Sequence, residues 1–354
     1  MNRRGLLQLG TASLGAMNLS FRNISEFLKE NHMGIVVHSY ASRWNSKVES
    51  KKYPGFLNAI DLIEHCHKIG AGGVQVGVKD WTTEFAKKVR EKREKLGLYL
   101  EGSIGLPGTA QDVTTFEKEV IGAKEAGAQV LRTVCLNGRR YETFHTRDVF
   151  QEFKKNALIS LQLAEPVVRK HKMKLAIENH KDWLAKELVG IIKKLDSEWI
   201  GVTLDFGNNV SLLEDPWEVV QTLVPYMFST HVKDMAVEEY NEGFLLSEVP
   251  LGEGIVDLPK IVSLCKQHNP NVTFNLEMIT RDPLEIPCLN DDYWATFDGV
   301  SGNEFARMLR TVRQHKYKSA LPRVSQLSVE DRLEVEERNI ISSLSYSKDQ
   351  LGLK

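Results

Sequence analysis

The sequence predicts an α/β protein built as a closed (β/α)8 barrel, and three observations carry that expectation. From Met33 onward, short β-branched runs alternate with amphipathic stretches, the pattern of a parallel sheet covered by helices. The alternation repeats eight times, which matches barrel closure. The last four strand-like runs each end on a side chain able to ligate a metal: K-L-A-I-E on Glu178, V-T-L-D on Asp205, F-S-T-H on His231 and T-F-N-L-E on Glu277. An open doubly wound sheet is the main competitor. It usually carries a glycine-rich phosphate turn after its first strand, whereas here S-Y-A-S-R-W follows.

Taken in order, strand one is expected over Gly34 to Tyr40. Its helix covers Gly55 to Ile69, with Phe56, Ile60, Ile63 and Ile69 near a 3.6-residue period. Strand two is Gly73 to Val78, and its helix runs from Thr82 to Leu96 with Thr82 or Thr83 as N-cap. Strand three is Leu98 to Ile104, and its helix, Val113 to Ala126, closes on Gly127. Strand four is Gln129 to Cys135, followed by a helix from Arg147 to His171. The four ligand-bearing strands come next, with helices near Trp183–Leu195, Pro216–Val224, Leu258–Gln267 and Gly302–Gln314. Three strand-to-helix loops are long: N-G-R-R-Y-E-T-F-H after strand four, Ala236 to Gly254 as a small hairpin, and Met278 to Ser301 with Tyr293 and Trp294. All three fall on the rim that carries the ligands, where barrel enzymes build specificity.

The 354 residues exceed the roughly 250 that such a barrel needs, so extensions are expected at both ends. Arg3 and Arg4 precede an uncharged stretch, Gly5 to Phe21, that is too polar for a membrane helix and resembles a twin-arginine export signal. The expected organisation is therefore a signal and linker over 1–32, the barrel over 33–315, and a C-terminal extension over 316–354. Export would place the protein in the periplasm or beyond, and without it the protein is cytoplasmic. In the extension, Val329 to Arg338 reads as a surface helix, packed on the barrel or on a partner subunit of a homo-oligomer. With 46 basic and 47 acidic residues, there is no basic excess to suggest nucleic acid. Cys66, Cys135, Cys265 and Cys288 form no C-x-x-C pair and read as core residues.

In a parallel barrel all strands point one way, so Glu178, Asp205, His231 and Glu277 would meet at one rim. The first three are 27 and 26 residues apart, about one β-α unit, and the last gap of 46 adds a long loop. Two Glu, one Asp and one His make a hard, mostly oxygen site suited to one divalent cation. Carboxylates crowded there without a cation would repel. Around them, His38, Glu101, Arg132, His180, Asn208 and Lys233 are candidates to hold substrate hydroxyls. Arg139, Arg140 and Arg281 are loop cations suited to a carboxylate or phosphate.

The motifs I-E-N-H (177–180), L-D-F-G-N (204–208), H-V-K-D (231–234), L-G-E-G-I-V-D (251–257) and N-L-E (275–277) resemble the xylose-isomerase-like TIM barrel superfamily of sugar phosphate isomerases and epimerases. The resemblance covers about residues 34 to 315. It implies that Glu178, Asp205, His231 and Glu277 hold one Mn2+, Mg2+, Co2+ or Zn2+ ion. It also implies that Glu178 and Glu277 move a proton beside the carbonyl of a small sugar or cyclitol. Lyases of the same superfamily, acting on 3-oxo-glycosides or inososes, and a non-catalytic sugar-binding barrel are the alternatives. Asn208 departs from the family, which often has His there. An amide is a poor second-metal ligand, which argues against a nuclease site. An exported member would meet free or oxidised sugars in place of phosphorylated ones. Replacing Arg3 and Arg4 together by Lys is expected to abolish export, read by fractionation of the producing cells; unchanged localisation would refute the signal.

Overall fold

The computed structural model describes residues 33–44, 48–315, 317 and 319–353; the export-like signal and linker expected over 1–32 lie outside them. Strands β1 (Gly34–Val36), β2 (Gly73–Gly77), β3 (Tyr99–Ser103), β4 (Val130–Thr133), β5 (Lys174–Glu178), β6 (Ile200–Asp205) and β7 (Met227–Val232) run parallel in sequence order. A hairpin, β8 (Asp234–Tyr240) and β9 (Gly243–Val249), then leaves the barrel. β10 (Phe274–Leu276) returns between β7 and β1 and closes the eight-stranded ring. β11 (Leu284–Ile286) pairs antiparallel with β9, so the expected rim hairpin is a three-stranded sheet.

The covering helices are α1 (Ala59–Lys68), α2 (Thr83–Lys95), α3 (Val113–Glu125), α4 (Arg147–His171), α5 (Ala185–Leu195), α6 (Pro216–Leu223), α7 (Leu258–His268) and α8 (Gly302–Gln314). Several starts are set by side chains that accept an orphan backbone N–H: Asn58 from Ile60, Thr82 from Phe85, Thr146 from Val149, and Ser301 from Glu304 in a capping box. This is why α1 begins after Asn58 and not at Gly55. Each helix buries one stripe, as α5 does with Leu188, Ile191 and Ile192. Among the described residues no helix is long and apolar enough to cross a membrane.

Strand one is shorter than its apolar run suggests. β1 stops at Val36, and Val37–Tyr40 forms a 3-10 turn. Ser39 explains the stop. Its Oγ donates to Leu276 O at 2.9 Å and accepts from Met278 N at 3.0 Å, doing with a hydroxyl what a longer ladder would do. The turn leaves His38 on the rim, not at a strand end. The barrel floor is plugged by Tyr99. Its hydroxyl donates to Phe274 O at 2.9 Å and accepts from Gly34 N at 2.8 Å. A Cβ at Gly73 would lie 2.4 Å from the Tyr99 ring, so the plug requires glycine there.

The helix expected over Val329 to Arg338 extends to Gln350 as α9 (Val329–Gln350), burying Leu333, Glu336, Ile340, Ser343 and Ser347. It docks on the loop after β1. Arg43, 1% exposed, lies 4.2 Å from the Phe56 ring centroid and pairs with Glu337 at 2.6 Å. Ser42 N donates to Glu336 Oε1 at 2.8 Å. Removing one partner of such a buried pair strands the other. Arg43→Met is therefore expected to lower unfolding stability by about 3 kcal/mol in denaturant titration. A loss under about 1 kcal/mol would mean that α9 docks without this pair.

Candidate metal centre

The four candidate ligands come from four neighbouring strands. Glu178 and Asp205 are the last residues of β5 and β6, His231 is the penultimate residue of β7, and Glu277 follows β10 directly. The ladder aligns them: Asp205 pairs with His231, and His231 pairs with Asn275, two residues before Glu277. All four are buried, and each offers one atom within 4.8 Å of every other. His231 Nδ1 stands 3.4 Å from Glu178 Oε2, 3.8 Å from Asp205 Oδ2 and 3.5 Å from Glu277 Oε2.

The imidazole is oriented from below. His231 Nε2 meets Gln75 Oε1 at 2.8 Å, and Gln75 Nε2 donates to Glu101 Oε2 at 2.9 Å. Gln75 must present its carbonyl to the histidine, so Nε2 carries a proton and Nδ1 faces the carboxylates. Among the described residues the buried Nδ1 has no hydrogen-bond partner, and the buried Asp205 Oδ2 meets only the ammonium of Lys233, at 2.8 Å. A buried polar atom is rarely left without a partner. The candidate ligand atoms converge, and the set is oxygen-rich with one nitrogen. Glu178, Asp205, His231 and Glu277 therefore fit a divalent cation.

The carboxylates differ in how they are held. Burial alone would raise Glu178, but the Arg132 guanidinium and His231 hold it well below the usual carboxylate range. Arg132 Nε donates to Glu178 Oε2 at 2.6 Å, and Asn208 Nδ2 donates to Oε1 at 2.8 Å. Burial also opposes charge on Glu277, yet Lys233 and His231 keep it well below that range. Lys233 Nζ lies 2.6 Å from Glu277 Oε2 and 2.8 Å from Asp205 Oδ2. For Asp205 burial wins over Lys233, and its carboxyl is raised. Burial works against a charge on His231, but Glu277 and Glu178 raise it to about 10.

The remaining expected residues divide. His38 is half-exposed on the rim, with Nδ1 3.2 Å from Glu277 Oε1. Arg132, Asn208 and Lys233 touch the quartet directly. His180 lies beside it, its Nδ1 buried and unpartnered; burial and Lys181 push the imidazole down to about 3, so it is neutral. Glu101 lies one layer deeper, where Gln75, Ser229, Thr273 and Asn275 all donate to it. Its oxygens are spent on supporting Gln75. Arg281 is committed to Glu248 of β9, at 3.1 Å and 2.5 Å. Arg140 is buried and bound to Glu187 and Thr296, and Arg139 bonds Glu142. Sequence reasoning missed Gln75, a neutral residue in mid-strand whose only signal is its inward parity. It also missed Lys181, which follows I-E-N-H directly and donates to Asn208 Oδ1 at 2.5 Å.

Comparison with known proteins agrees with this architecture. The chain is 25% identical over 270 residues to a 3-oxo-isoapionate decarboxylase of Pectobacterium atrosepticum, covering 74% of this chain and 92% of that protein. A xylose isomerase-like TIM barrel protein from Mycobacterium smegmatis, solved in complex with magnesium, superposes with a TM-score of 0.54 at 15% identity, over 81% of this chain and 98% of that one. A D-psicose 3-epimerase from Clostridium cellulolyticum H10, solved with D-tagatose, gives 0.58 at 12% identity, over 90% and 99%. At such identities the two structures speak for the fold alone. The family described as the xylose isomerase-like TIM barrel matches residues 63–296, well over half of the sequence, and the chain belongs to that family.

Proposed function

We propose that this protein is a divalent-metal-dependent isomerase or epimerase. It would act on a small sugar or cyclitol by removing and returning a proton beside a carbonyl, through an enediolate. The observation that carries the reading is the convergence of Glu178, Asp205, His231 and Glu277, with the buried, unpartnered Nδ1 of His231 facing all three carboxylates. A Mn2+, Mg2+, Co2+ or Zn2+ ion held there would polarise a carbonyl and stabilise the negative charge that develops on its oxygen.

The chain's own groups supply the proton transfers. Glu277 is the carboxylate nearest the open rim, since its Oε1 faces half-exposed His38. Lys233 on Oε2 keeps it ionised, the state a base requires. Glu178 is also kept ionised, by Arg132, and lies on a different strand, so the two can serve different sides of a bound sugar. Both are weak bases, held below their ordinary range, so the C–H they attack must itself be acidified by the adjacent carbonyl. Asn208 and Lys233 add donors for substrate oxygens. The twin-arginine reading of Arg3 and Arg4 belongs to the same proposal, with free or oxidised sugars as the substrates outside the cytoplasm.

One observation favours a second reading. The 25%-identical relative is named a 3-oxo-isoapionate decarboxylase. Loss of CO2 from a 3-oxo acid would leave the same electron pair beside a carbonyl, to be protonated by a protein acid; in elimination from a 3-oxo-glycoside or inosose, the pair left by proton removal would instead expel the leaving group. Deuterium from D2O appearing in a ketose without bond cleavage supports the first reading; release of CO2 or of a leaving group supports the second.

Metal loading and elemental analysis are expected to give about one ion per chain. His231→Ala and Asp205→Ala should each lose it; full occupancy in either variant would put the site elsewhere. Glu178→Gln and Glu277→Gln keep the side-chain shape and one ligating oxygen but remove the base. Each is expected to lower kcat by about 10² to 10⁴ while metal is retained. Near-normal turnover of one variant at full occupancy would leave a single-glutamate mechanism.

A further inference from the structure

Among the described residues five lysines and arginines are buried: Arg43, Arg132, Arg140, Lys181 and Lys233. Four face a carboxylate at ion-pair distance: Arg43 has Glu337, Arg132 has Glu178, Arg140 has Glu187, and Lys233 has Asp205 and Glu277. Lys181, 3% exposed, has none among the described residues. Its ammonium donates to one neutral acceptor, Asn208 Oδ1, at 2.5 Å. Lys233 Nζ lies 3.2 Å from the same oxygen, so two ammonium groups share one amide carbonyl. Burial and Lys233 together push Lys181 down to about 8, as expected for a cation lacking its counter-ion. Arg132 and Lys233 stand directly against the three carboxylates of the quartet, whereas Lys181 makes no such contact among the described residues.

A second, independent observation points the same way. Among the described residues His180 Nδ1, on the residue next to Lys181, is buried and has no hydrogen-bond partner. The backbone of Lys181 is pinned, its carbonyl accepting from Arg140 N at 2.8 Å, so the side chain springs from a fixed point. A buried cation and an unpartnered imidazole nitrogen on adjacent residues, beside the quartet, describe a subsite that lacks its anion.

We infer that Lys181 anchors a carboxylate of the substrate, so that this pocket takes a sugar acid or keto acid in preference to a neutral sugar. The inference rests on the enediolate reading for the reaction itself. Lys233, the other ammonium at the Asn208 carbonyl, is held by Asp205 and Glu277, which leaves one unpaired cation and so suits a monoanion. A phosphate dianion needs further cations, and Arg281 is committed to Glu248.

The test is titration calorimetry on the full chain, with and without Mn2+, using D-fructose, D-fructuronate and D-fructose 6-phosphate. The first two differ only in a terminal CH2OH oxidised to a carboxylate. The wild type is expected to bind D-fructuronate at least about tenfold more tightly than D-fructose. Lys181→Met should bind both alike, losing the preference for the acid, and Lys181→Arg should keep part of it. Lys181→Met removes an unpaired buried charge and is expected to melt no lower than wild type, so misfolding does not mask the result. Equal weakening of both sugars by Lys181→Met would reduce Lys181 to a positioning residue for Asn208 and overturn the inference. So would a wild type without preference, and a preference for the 6-phosphate would overturn the carboxylate assignment. Deuterium exchange into a ketose with no acid preference overturns this inference alone. Acid preference in a protein that takes up no metal overturns the preceding reading alone.

Discussion

Three carboxylates share a volume closed to bulk water, and keeping them ionised together constrains the rest of the barrel mouth. Two unit charges 4 Å apart interact by about 4 kcal/mol at an effective dielectric of 20. The chain meets this repulsion with cations on the same strands or their neighbours. Arg132 on β4 holds Glu178, and Lys233, just past β7, bridges Asp205 and Glu277. Asp205 is the least compensated. Its Oδ1 accepts from Gly207 N and Asn208 N, while Oδ2 meets Lys233 alone. That imbalance, with the free Nδ1 of His231 opposite, is where a divalent cation would contribute most.

The support for this arrangement runs down the barrel axis. Inward positions of a (β/α)8 barrel are usually filled by branched apolar residues in layers. Here one layer is polar: Gln75, Glu101, Ser229 and Asn275. Glu101 collects donors from Gln75, Ser229 and Asn275, which fixes the Gln75 amide and through it the histidine. Reversing that amide would set an NH2 against the imidazole N–H. The deep layer thus decides which histidine nitrogen faces the carboxylates, and Tyr99 seals it from the far end.

The sequence carried the parts of this design that rest on periodicity. Eight β-α units and the convergence of Glu178, Asp205, His231 and Glu277 were legible because an apolar run that ends on a charge is unusual, and because parallel strands deliver their ends to one rim. Other features depend on contacts that no local pattern encodes. β1 reads as a strand to Tyr40, and only the Ser39 hydroxyl, bonded to the far side of the barrel seam, ends it at Val36. Arg281 reads as a free loop cation, yet its partner Glu248 lies 33 residues earlier on the rim hairpin. The helix expected to stop at Arg338 runs on to Gln350. Its buried stripe includes Glu336, Ser343 and Ser347, polar residues that hide an inward face. Lys181 looks like any surface lysine until its burial is seen together with the lack of an ion-pair partner among the described residues.

The two glutamates inherit different surroundings from the order of the chain. Glu178 is locked by Arg132 and Asn208, and it belongs to the half of the mouth built by β4, β5 and β6. Glu277 belongs to the half closed late, where β10 meets β1 and the rim sheet and α9 dock. There Asp234 accepts from the backbone N–H groups of Gly252, Gly254 and Val256, folding the end of the hairpin back toward its start. Asn339 of α9 donates to Thr280, three residues beyond Glu277. Asn208 joins the halves, since Lys181 and Lys233 both donate to its carbonyl oxygen while its amide nitrogen holds Glu178. A ligand that draws either lysine away from Asn208 would loosen one of the two contacts that fix Glu178. Substrate charge at Lys181 would in that way be felt at the more constrained carboxylate, coupling recognition to proton transfer through a single side-chain amide.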